Sequence, residues 1–127
     1  MRKTLTIGPL AILFANENTE LRIPLHHHYA QVRLSYAFTG TAGFPVLAQT
    51  IDAVQARLEQ LVEKPFMNTR NERILEIIYE AFRDWTCPAI PHLNSGWTLV
   101  AVELAVVGTR DRLGHAEGVA TYRLDVE

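Results

Sequence analysis

A chain of 127 residues with a net charge of −2 is the size of one domain and can bury roughly two-thirds of its unfolded surface in a single core. Its 48% hydrophobic and 20% charged residues exclude a disordered polymer. Neither charge sign forms a long block, which excludes a nucleic-acid partner, because phosphate contacts need clustered Lys and Arg. The single cysteine, Cys87, cannot form an internal disulfide, so a reducing, cytoplasmic setting is expected.

Arg2 and Lys3 precede an apolar stretch from Leu5 to Ala15 that superficially resembles a secretory signal. Gly8 and Pro9 interrupt it, however, and its loss would delete a strand from a small domain. The stretch Thr4 to Phe14 therefore reads as a first strand, with Gly8-Pro9 at a bulge or edge position that tolerates a missing N–H. No run approaches the roughly 18 apolar residues of a membrane span, so no membrane partner is expected.

A polar stretch, Ala15 to Glu20, and then Leu21 to His28 lead into a second strand, Tyr29 to Phe38. There Val32, Leu34, Tyr36 and Phe38 alternate with Gln31, Arg33, Ser35 and Ala37. Thr39 to Phe44 reads as the loop that ends it. From Pro45 the period lengthens: Leu47, Ile51, Val54, Leu58, Leu61 and Val62 recur at helical spacing, and Pro65 stops that helix. A second helix begins near Thr69, carries Ile74, Ile77, Ile78, Ala81, Phe82 and Trp85 on one stripe, and ends before Cys87-Pro88. After a Pro- and Gly-containing loop, Trp97 to Val107 reads as a strand, Gly108 to Gly114 as a turn and Gly118 to Val126 as a last strand. Strands grouped on either side of a helix pair imply an α+β domain rather than alternating βαβ units.

Two local patterns carry chemistry. The triplet His26-His27-His28 puts two imidazoles, His26 and His28, on one side of an extended chain. Thr69-Arg70-Asn71-Glu72 matches a capping box, in which the glutamate would reach back to the Thr69 N–H. His92 and Asp84 combine with no serine or cysteine at a recognisable spacing, so no nucleophilic triad is expected.

The order strand, strand, helix, helix, strand, strand resembles the tunnelling fold, and several segments resemble dihydroneopterin aldolase within it. These are Leu5 to Leu10, the acidic loop around Glu17 and Glu20, Gln31 to Phe38, Thr50-Ile51-Asp52, and Pro65-Phe66 followed by Asn71 to Ile78. The resemblance implies a four-stranded antiparallel sheet, two antiparallel helices on one face, and assembly into a tetramer or octamer. It implies a pterin-like ligand, no metal and no cofactor. Glu72 falls where the family has a glutamate whose two oxygens accept the ring N3–H and the amino group. The implied ligand-binding set is Glu72, Asn71 and Ile51, and the implied proton-transfer set is His28, His115 and Glu20. The family's tyrosine falls at Ala53 and its lysine near Gly108, where Arg110 is close but a poor base.

The histidine triplet also resembles the 6-pyruvoyl tetrahydropterin synthases. Those enzymes hold zinc with a His-x-His at the start of the second strand and a third histidine on the first. Here Phe14, Ala15 and Asn16 stand at that third place.

Overall fold

The computed structural model describes residues 3–38, 47–87, 96–107 and 119–126. Strands β1 (Lys3–Asn18) and β2 (Ile23–Phe38) form a long antiparallel hairpin. Helix α1 (Leu47–Leu61), the two-residue strand β3 (Phe66–Met67) and helix α2 (Asn71–Arg83) follow. Strands β4 (Trp97–Val107) and β5 (Val119–Asp125) pair antiparallel with each other. The sheet order is β3-β1-β2-β4-β5. No described helix is long and apolar enough to cross a membrane.

The expected four-stranded antiparallel sheet is corrected on one point: the sheet has five strands and is mixed. The extra strand, β3, runs parallel to β1 opposite Asn16 and Glu17. Pro65 ends the helical path, and Phe66 then packs edge-on against Phe14, ring centroids 6.0 Å apart. Two residues are too few to show a period, so no alternation announces this strand. The opening strands also reach further than the pattern indicates. Ala15 to Asn18 continue β1, and Ile23 to His28 belong to β2, because backbone pairing carries on past the last apolar residue.

Alternation sends Ile7, Leu10, Ile12 and Phe14 from β1 to the helix-covered side, with Ala30, Val32, Leu34, Tyr36 and Phe38 from β2. They meet Val54 and Leu58 of α1 and Ile74, Ile78 and Phe82 of α2. Ile7 and Leu10 are three apart, so strict alternation would turn one of them outward. A bulge between them resets the phase: Ile7 pairs with Leu34 and Leu10 with Val32. Gly8 makes it possible. Its φ is 129°, and a Cβ there would lie 2.5 Å from the Val32 carbonyl oxygen.

The capping box does not form. The N-cap of α2 is Arg70, with no side-chain cap, and the Thr69 hydroxyl donates instead to the Met67 carbonyl at 2.9 Å. The helix starts two residues later than the pattern places it, since Asn68 holds a left-handed conformation, φ 50°, that turns the chain before helical geometry begins.

Candidate functional site

The same alternation that fills the core continues past the end of the helix layer. His26 and His28 follow Ala30 and Val32 on the helix-facing side of β2, but α2 begins only at Asn71 and leaves this part of the sheet uncovered. A cleft of about 480 Å³ results. Asn16 and Asn18 of β1, Glu20 of the turn, His26 and His28 of β2, Asn68 to Arg70, Asn71 and Glu72 of α2, and Tyr122 of β5 line it.

The walls are strapped together by asparagines. Asn68 accepts a hydrogen bond from the Thr19 N–H and donates one to the Thr19 hydroxyl, both at 2.8 Å. The Asn68 N–H also donates to the Glu17 carbonyl, again at 2.8 Å. Asn16 donates through Nδ2 to the Thr69 carbonyl at 2.7 Å, which leaves its buried Oδ1 without a hydrogen-bond partner among the described residues. These bonds hold the β1–β2 turn against the segment leading into α2, so the cleft floor is fixed before any ligand arrives.

The two imidazoles lie edge to face with centroids 4.6 Å apart, and the Phe14 ring sits 5.4 Å from that of His28. His26 donates from Nδ1 to the Pro24 carbonyl at 2.9 Å. Burial, and then the nearby His26 charge, hold the His28 pKa below its ordinary 6.5. His28 is therefore neutral at pH 7 and able to accept a proton. Glu72 is exposed in the first turn of α2 and makes no ion pair or hydrogen bond with a described residue. An unpartnered carboxylate beside a neutral imidazole can anchor donor groups while a proton is moved nearby.

Of the residues singled out in the sequence, the cleft brings together Glu20, His28, Asn71 and Glu72. Ile51 is not among its walls; it packs from α1 against the core. Ala53 packs there too. His115, Gly108, Arg110 and His92 lie outside the described residues. Among the polar cleft residues, sequence reasoning passed over Asn18, Asn68 and Tyr122, and it named Asn16 only as standing where a zinc histidine would be. Asn68 carries a turn signal, whereas Tyr122 looks like any strand aromatic until β5 is placed beside α2. No group of three His, Cys, Asp or Glu that could hold a metal occurs among the described residues. His26 and His28 are thus two candidate ligands without a third among the described residues. A more apolar hollow of about 600 Å³ lies against Leu13, Tyr29, Glu59 and Val62. It holds His27 of the triplet and the carboxylates Glu59 and Glu63, but not Glu20, His28 or Glu72.

No protein-family model matches the chain, and no curated protein sequence does. Among solved structures, the chain is similar to a catalytic-residue mutant of 6-pyruvoyltetrahydropterin synthase from Plasmodium vivax. The identity is 14% and the TM-score 0.53, with 98% of this chain and 99% of that one covered. A second structure of 6-pyruvoyl tetrahydropterin synthase from Plasmodium vivax matches with 14% identity, the same coverage and a TM-score of 0.50. At this identity the likeness is one of fold, and the fold it supports is the tunnelling fold.

Proposed function

We propose that this chain binds a pterin, or a similar bicyclic amino-heterocycle, in the cleft between the first turn of α2 and the start of β2, with Glu72 as anchor. The observation that carries the reading is the placement of the unpartnered Glu72 carboxylate on the same cleft as Glu20 and the His26–His28 pair. A planar carboxylate matches two adjacent N–H donors on a ring edge, and neutral His28 suits proton transfer at the ring's side chain. The resulting chemistry is aldolase-like: acid–base catalysis with neither Schiff base nor metal, His28 and Glu20 moving the proton. The resemblance adds His115 to that set. In fluorescence titrations with 7,8-dihydroneopterin, Glu72→Ala should weaken binding roughly 10- to 100-fold, the range for losing hydrogen bonds to a charged group. Equal binding by wild type and variant would sink the anchor role.

Two observations favour other readings of the same cleft. Ala53 in place of the family tyrosine favours a binder without turnover, and binding with no conversion of 7,8-dihydroneopterin above buffer would select it. The solved structures with the same fold, together with His26 and His28, favour a zinc-dependent synthase. Metal analysis of the purified protein separates this reading from the others: about one zinc per chain selects it, and far less than one excludes it.

A further inference from the structure

Within the pterin reading, on which this inference rests, the anchor leaves one part of the ring edge unserved. A pterin presents a carbonyl oxygen, an N–H and an amino group side by side. A carboxylate pairs with the two donors but not with the oxygen beside them, which needs a donor of its own or is buried unpaired at a cost.

Three side-chain donors on the cleft are engaged within the protein, whereas the Arg70 guanidinium on its wall makes no hydrogen bond with a described residue. Thr69 donates to the Met67 carbonyl, Asn16 to the Thr69 carbonyl and Asn68 to the Thr19 hydroxyl. Asn71, the neighbour of Glu72, points its Nδ2 at the Tyr122 hydroxyl across a long 3.4 Å. A phenol has one proton and can accept as well as donate. Because Tyr122 accepts from Asn71, its own proton is left for an acceptor in the cleft. The ring is half-buried and packs against the core, and β5 pairs Tyr122 with Leu104 of β4, so the hydroxyl is held in place.

We propose that Tyr122 is a specificity-determining residue, donating to the ring carbonyl next to the edge that Glu72 grips, so that the cleft recognises 4-oxo rather than 4-amino heterocycles. Nothing in the chain's sequence pattern assigns Tyr122 a role, and it acts by ligand contact without taking part in proton transfer.

The test is a fluorescence titration of wild type and Tyr122→Phe with two probes, neopterin and 2,4-diamino-6-hydroxymethylpteridine. The substitution keeps the ring and its packing, so it spares the fold. For neopterin the dissociation constant should rise roughly tenfold, the size of one lost hydrogen bond. The diamino compound lacks the carbonyl and also the N3–H, so wild type should bind it more weakly than neopterin, and its dissociation constant should stay within about twofold on substitution. A wild type that binds it as tightly as neopterin overturns the 4-oxo selectivity. Unchanged neopterin binding, or an equal loss on both probes, overturns the role of Tyr122. If Glu72→Ala loses neopterin while Tyr122→Phe does not, the anchor stands and only this inference falls. If wild type binds neither probe, both fall together.

Discussion

His28 shows how one side chain is tuned by position. Burial and the charge on His26 both disfavour the protonated imidazole, and both lower its pKa. In the unfolded chain His28 binds its proton near the ordinary 6.5, so in the window just below 6.5 the unfolded state holds more protons than the folded one. The contribution of His28 to stability is thus present above that window and is lost as the pH falls through it. Proton acceptance by His28 is lost in the same direction. Following the His28 ring protons by NMR should give a midpoint below 6.5, and His26→Gln should move that midpoint upward by removing the neighbouring charge. A midpoint that ignores His26 would show that the two rings do not interact. For Glu72 the local sequence favours a cap, and only the missing cap bond frees its carboxylate for a ligand.

At the scale of elements, the phase of β1 decides what reaches the core and the cleft. The bulge at Gly8-Pro9 lets Ile7 and Leu10 share the buried side, and from Leu10 onward the phase carries Ile12, Phe14 and finally Asn16 to the helix-facing side. Asn16 reaches the cleft because of a glycine eight residues earlier. Gly8→Ala combines a positive φ with a Cβ against the Val32 carbonyl and should cost about 1–3 kcal/mol. Urea unfolding should show it as a lower midpoint with an unchanged slope. A midpoint equal to wild type would mean that β1 can re-register without the bulge. Helix α2 places the other wall. Its buried stripe, Ile74, Leu75, Ile78 and Phe82, docks the helix on the sheet, and this docking brings Asn71 and Glu72 to the cleft that the histidines line.

For the whole molecule, the described sheet leaves hydrophobic side chains uncovered. Leu13, Leu25 and Tyr29 are exposed on the opening hairpin, and Tyr29 is 68% exposed. Strand β5 also ends the sheet with an edge unpaired among the described residues. Exposed apolar side chains and an open sheet edge are each the mark of an interaction surface. A homo-oligomer is the expected occupant, and light scattering at micromolar concentration should give four or eight times the 14.3 kDa chain mass. A monomer would count heavily against an assembly that continues the sheet from chain to chain.

Periodicity by itself determined both helices, β4, and the core halves of β1 and β2, because burial imposes a period of two on a half-covered strand and 3.6 on a helix. Glu20, His28, Asn71 and Glu72 were singled out by the family resemblance and the histidine triplet, with no contribution from period. Periodicity missed the polar ends of the hairpin and the parallel strand β3, where backbone pairing continues without an apolar signal. Only the tertiary structure decided that the end of β2, the first turn of α2 and Tyr122 of β5 share one cleft while Ile51 does not. Those neighbours come from sheet register and from where α2 docks, and both are set by contacts between residues tens of positions apart in the chain, to which local sequence pattern is blind.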